Sequence, residues 1–467
     1  MRTGADAMNP IQLVIKQMRQ RALSTWLTLL SVTLGVALAV AIMILRREGQ
    51  SLFAQADFGY DVLVGVKGSP LQLTLNTVYH IDKSPGNIKY QVYEDLLHSP
   101  AYRRYAKLVV PICVGDSYKG LRIVGTLPSM FGYKDDGSRA DPEHRFEYRP
   151  GQSFEVADGQ MFNPDKFEAV LGSDVTRLTG LRVADTFQAT HGMPSPTETP
   201  DIHKEVWNVV GIMKPTHTSN DRVLFIPLIS FYTIFEHAKA EIEREMIRRG
   251  ENPATRPKPS DEGEVQHFKL RADGTIDLQL PKEDRELSAI LVRSRGEGGF
   301  AGQALAYNLN LLPDVMAVNP ASVMREFFDT FLSSSAKVLL LIALLVTVVA
   351  AASIMTTIYN SVSARRREIA ILRALGATRR RILALICAEA VLVGLFGGLL
   401  GFIVGHLLGA AGSVYMSALV GEGIRWLSVG PEEWGYLAAV VALAGLAGLV
   451  PALTAYRTPV ATNLVAS

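Results

Sequence analysis

Cysteine is nearly missing from this chain. Its 467 residues include two, Cys113 and Cys387, far apart in sequence. That rules against a disulfide framework and against a zinc site built on thiolates. A G-x-x-x-x-G-K-[ST] run is also missing, and the nearest stretch, GVKGSP at Gly65–Pro70, does not have its spacing. The chain is therefore expected to bind no nucleotide or other cofactor itself. No serine stands in a nucleophile-elbow context, so catalysis within the chain has no support. A formal net charge of +2 leaves no excess of basic residues to suggest a nucleic-acid partner. No internal repeat is found.

Charge is also sparse in four long stretches. A helix needs about 20 apolar residues to cross the hydrocarbon core, and residues 23–45, 338–359, 383–408 and 434–455 meet that. The first run is longer than a signal-peptide core, with no small-residue cleavage pattern after it, and reads as a retained anchor. Lys and Arg in short loops set the orientation. Residues 361–382 carry Arg365, Arg366, Arg367, Arg373, Arg379, Arg380 and Arg381, whereas residues 409–433 carry only Arg425. The first of these loops is expected in the cytoplasm, together with both termini (1–22 and 456–467). The second is expected outside. Arg46 and Arg47, just past the first span, run against the rule and are expected to snorkel to the outer headgroups.

Residues 46–335 then form a large extracytoplasmic domain inserted between spans one and two, periplasmic in a Gram-negative cell. Short β-rich runs (Asp61–Val66, Lys107–Val114, Leu121–Val124, Ala169–Leu171, Val206–Ile212) alternate with helical stretches at Tyr90–Leu97 and Phe231–Arg249. The fold class is thus a membrane protein of four transmembrane α-helices with a mixed α/β domain outside. Arg248–Glu264 reads as a linker and His191–Pro200 as a loop. Asn319–Pro320 can start a helix that runs unbroken into span two. Arg46–Asp57 can extend span one, so both domain ends read as stalk helices.

Within residues 361–382, Ala364–Leu375 reads as a short amphipathic helix with Ile369, Leu372 and Leu375 on one face. Gly376 suits its end, and Thr378 suits the cap of the next helix. Composition alone leaves two roles open, a lipid-surface helix and a protein-docking helix. In span three, Gly397, Gly401, Gly405 and Gly409 recur every four residues and allow close helix contact. Packing against span four, itself rich in small residues, is expected over a dimer seam. Glu389 and His406 are the intramembrane polar residues. Glu389 is read as structural rather than as part of an ion relay, and His406 as a packed neutral imidazole. No pair of histidines has ligand spacing. Only His203 and His217, with Asp201, read as loop residues that could converge on a metal, and no metal site is otherwise expected.

The run RRREIAILRALGATRRRI followed by EAVLVGLFGGLLGFIVG, with PALTAYRTPVATNL at Pro451–Leu464, resembles the signature of the MacB/FtsX-like permease superfamily of ABC transporters. VVGIMKPTHTSNDRVLFIPL at Val209–Leu228 resembles a segment of some of its members. The resemblance implies a permease in the bacterial cytoplasmic (inner) membrane that works as a homodimer. A separate cytoplasmic ATPase subunit would carry ATP and Mg and dock at the loop helix. Carried onto this chain, the docking residues are Glu368, flanked by Arg365, Arg366, Arg367 and Arg373, with Leu372 and Leu375 as apolar anchors. Pro10–Ala22 corresponds to an amphipathic helix on the membrane lipid. The cargo implied is a lipid, lipoprotein, peptide or drug-like molecule, passed on to a periplasmic or outer-membrane partner. Two alternatives stand beside this reading: a signalling platform that activates an external enzyme, and a metal-linked binding protein anchored in the membrane.

Overall fold

The computed structural model describes residues 22–53, 59–81, 83–193, 202–234, 268–296, 299–374, 376–420 and 425–457. They divide into a helical unit and an α/β unit, the latter built on Phe53–Phe327. The amphipathic segment Pro10–Ala22 except Ala22, the linker Arg248–Glu264, Asp201 and most of the helix expected over Phe231–Arg249 lie outside the described residues.

Among the described residues four helices are long and apolar enough to cross a membrane: Leu23–Glu48, Pro320–Ala364, Arg379–Met416 and Pro431–Thr454. The Asn319 side chain caps the second, accepting the Ser322 N–H at 3.0 Å. Its helical backbone then runs through Pro320–Phe327, a π turn at Phe328–Leu332 and Ser333–Ala364. The third continues past Leu408 to Val420, so the first half of the expected loop 409–433 is helical. Leu30, Leu34, Leu345, Ile403 and Val450 are exposed on the outside of the bundle. In a bilayer such side chains meet acyl chains, and every backbone polar group is satisfied within its own helix.

The glycine face of span three packs within the chain, against span one and not against span four as expected. A methyl built on Gly397 would fall 2.8 Å from Val32 Cβ, on Gly401 2.6 Å from Val36 Cβ, and on Gly405 2.7 Å from Val40 Cβ. Both helices repeat every four residues here, so each glycine admits one β-branched side chain and the backbones close up. Thr33 Oγ1 donates across this seam to the Gly397 carbonyl at 3.3 Å. Span four meets a different face of span three, where Gly394 and Gly398 oppose Ala444 and Leu437. The small residues on span four suggested the wrong partner because a second small-residue face, about 100° around span three, serves it. Spans one and two share a Thr28–Thr357 hydroxyl contact at 3.0 Å, and spans two and four a Thr347–Tyr436 contact at 2.7 Å.

The α/β unit is organised by a ten-stranded mixed sheet. Its strands are β1 (Val62–Val66), β2 (Ala106–Tyr118), β3 (Leu121–Thr126), β4 (Val156–Gly159), β5 (Glu168–Leu171), β6 (Thr186–Phe187), β7 (Trp207–Met213), β8 (Leu224–Pro227), β9 (Ala289–Ser294) and β10 (Val315–Val318). They lie in the order β10-β1-β9-β2-β3-β8-β5-β7-β4, with β6 also on β7. Strands β3 and β8 are buried at every residue and pair in parallel. Buried on both faces, β8 reads as a continuous apolar run without alternation, and β3 is interrupted only by the buried Arg122 and Thr126. Trp207, Phe131 and Phe225 are fully buried in the core, with the two phenylalanine rings edge-to-face at 4.9 Å.

The first strand of the unit lies between its last two. In β1, Leu63 pairs with Val318 of β10 and with Leu291 of β9. The point where the chain enters the unit from span one therefore lies beside the point where it leaves towards span two.

Candidate functional site

The loop between spans two and three folds as a helix over Arg366–Ala374. Gly376 ends it at φ +97°, a backbone conformation that a Cβ would strain. Thr378 then caps span three, its hydroxyl accepting the Arg381 N–H at 3.3 Å. Ile369 packs against the core of the bundle and Ala370 is buried, so one face of the helix is held down. Arg366, Arg367 and Glu368 are exposed on the other, and Arg365 is half-buried. Glu368 lies in the first turn and Arg373 in the last, each placed favourably for the helix dipole. Of the two expected apolar anchors, Leu375 lies outside the described residues, and Leu372 is placed on the helix by its backbone. The arrangement is a small rigid knob carrying both signs of charge on an apolar footing.

Glu389 is half-buried on span three. It precedes Ala390, which packs against Gly448 of span four. His406 is buried but is not a purely packed imidazole. It belongs to an ion cluster at the end of span one that leads into the α/β unit. Its Nε2 lies 2.9 Å from Glu433 Oε2 and its Nδ1 2.6 Å from the Trp426 carbonyl. Arg47 donates to Glu433 Oε1 at 2.6 Å, to the Ser428 carbonyl, and to Glu48 Oε1 at 3.2 Å. Arg425 donates to the other Glu48 oxygen at 3.2 Å. Arg47 is therefore tied to carboxylates within the chain. A carbonyl only accepts, so His406 Nδ1 carries a hydrogen. Sequence reasoning misses this cluster because Arg47 and Arg425 enter it only as orientation signals for the spans.

In the α/β unit the structure separates His203 from His217. The His217 N–H donates to Asp221 at 2.8 Å, within a loop where Thr216 also donates to that carboxylate. His203 instead joins Asp116 and His191, neither of which the sequence singled out as a partner. His80 is half-buried, and its Nε2 faces Asn220 Oδ1 at 3.3 Å. Burial pushes its imidazole down to about 4, with Arg122 adding to the shift and the Asn220 contact opposing it.

Comparison with known proteins agrees with this architecture. A model of the MacB-like periplasmic core domain matches residues 25–265, more than half of the chain, and a model of the FtsX-like permease C-terminal region matches residues 340–460. An uncharacterized ABC transporter permease from Methanocaldococcus jannaschii is 46% identical over 55 residues, 12% of this chain. The matched part spans 14% of that relative's length. Four membrane helices, a large mixed α/β domain after the first of them, and matches to both halves lead to one assignment: the chain belongs to the MacB/FtsX-like family of ABC transporter permeases.

Proposed function

We propose that this permease couples ATP hydrolysis on a separate ATPase subunit to movement of its own extracytoplasmic domain. It would sit as a pair of chains in the cytoplasmic membrane and handle a lipid, lipoprotein, peptide or drug-like cargo outside. The observation that carries the reading is the loop helix. It presents Glu368, Arg366 and Arg367 to solvent while Ile369 and Ala370 fix it to the bundle. Force applied to such a knob passes into the spans and not into a floppy loop. Spans one and two lead to adjacent strands of the α/β unit, β1 and β10. A relative shift of the two helices would therefore act on one strand pair. ATP and Mg would reside in the partner.

The test is Glu368→Lys, which reverses charge on an exposed helix position and leaves the spans untouched. The variant is expected to insert at the wild-type level and to lose co-purification with the ATPase subunit. The lost contact, a charge-assisted pair at an interface, corresponds to about 2–5 kcal/mol. Undiminished co-purification would remove Glu368 from the docking surface.

A further inference from the structure

Three side chains of the α/β unit converge without any role in the permease mechanism. Asp116 Oδ1 lies 3.3 Å from His203 Nε2 and 3.6 Å from His191 Nδ1. One ligand atom from each residue lies within 4.8 Å of the others. We propose that Asp116, His191 and His203 form a binding site for a divalent transition-metal ion, with zinc the best match.

The spacing is the first argument. Both distances exceed the usual N–H···O range of about 2.7–3.2 Å. Two ligands on a tetrahedral ion with arms of about 2.0–2.1 Å stand about 3.3–3.4 Å apart. The Asp116–His203 separation of 3.3 Å matches this spacing, and the half-exposed His191, at 3.6 Å, needs only a small ring movement to reach it. A simple ion pair would need only one imidazole drawn into hydrogen-bond range.

The scaffold is the second. Between Val114 and Ser117 the register of β2 against β3 shifts, and β2 carries one extra residue there. Such a bulge re-aims a side chain, and it places Asp116, fully buried, in the group. Ser117, its neighbour, exchanges backbone hydrogen bonds with Thr190 at 3.0 and 2.8 Å and donates its hydroxyl to the Gly192 carbonyl. These bonds fix the residues on both sides of His191. The His203 N–H donates to the Ala189 carbonyl at 2.9 Å, and Gln188 donates to the His203 carbonyl at 3.0 Å. Each donor thus stands on backbone tied to its neighbours, which is the preorganisation a metal site needs.

The donor set and access decide the class of ion. Two imidazoles and one carboxylate suit zinc and its first-row neighbours, not magnesium or calcium, which take oxygen ligands. The side chains of Asp116 and His203 are 0% and 1% exposed, whereas that of His191 is 49% exposed. The ion would enter on the His191 side and keep a coordination position open to solvent, unlike the closed four-ligand sites that serve structure alone.

Zinc titration of the detergent-purified full chain, read by competition with a chromophoric zinc indicator, tests this. Wild type is expected to take up one zinc per chain and to gain thermal stability on doing so. His191→Ala removes a half-exposed ligand at little risk to the fold, and is expected to weaken zinc binding about tenfold or more. Asp116→Asn should do the same, while His217→Ala should bind as wild type. Absence of zinc uptake by the wild-type chain would overturn the site, as would wild-type affinity in His191→Ala.

Discussion

His80 shows how one half-buried side chain can set a pH response. In the folded chain its imidazole titrates at about 4, against 6.5 for the exposed group. Between these values the unfolded chain binds a proton that the folded chain refuses. Stability from this residue is fully present above about pH 6.5, falls as the pH drops, and levels off below about 4. A shift of this size corresponds to about 3 kcal/mol across that window. His80 also sits at φ +57°, where Asn is tolerated better than most residues. His80→Asn is therefore expected to keep the fold and flatten the loss of thermal stability between pH 6.5 and 4. Equal acid sensitivity in the two proteins would assign the response to other groups.

Among the elements, the seam between spans one and three is sensitive to side-chain size. Gly401 faces both Val36 and the Thr33 carbonyl, and a methyl built there would lie 2.6 and 2.7 Å from them. Gly401→Leu must push the helices apart and is expected to cost about 1–3 kcal/mol, read as a lower melting temperature in detergent. Gly412, on the same helix, has open space at its Cβ position. Gly412→Ala should be neutral or stabilising by up to about 1 kcal/mol. If both substitutions act alike, the four-residue glycine spacing is not what holds the seam.

The spans and the loop helix were legible in the sequence because their signals are local. Charge-free runs mark the spans, and an apolar repeat ended by Gly376 and Thr378 marks the helix. The identity of the glycine partner was not local. Two helices offered complementary small or β-branched residues, and only packing chooses between them. The Asp116–His191–His203 group was less legible still. Asp116 is far in sequence from His191 and His203, and a bulge in β2 decides where it points. The ion cluster of Arg47, Glu48, His406, Arg425 and Glu433 draws on spans one, three and four, so no window of sequence contains it. Strands β9 and β10 carry apolar runs that could have been read as strands. Their pairing with β1, hundreds of residues away, could not.

At the scale of the whole molecule, the account requires the loop between spans two and three to face the cytoplasm, with the α/β unit on the opposite side. The direct measurement is cysteine accessibility in right-side-out membrane vesicles. Cys113 and Cys387 would be replaced, and single cysteines introduced as Arg367→Cys on the exposed face of the loop helix and Glu143→Cys in the α/β unit. A membrane-impermeant maleimide is expected to label the Glu143→Cys chain at once, and the Arg367→Cys chain only after the vesicles are opened. Labelling of Arg367→Cys in sealed vesicles would place the loop on the outer side, beyond reach of any cytoplasmic ATPase, and contradict the account.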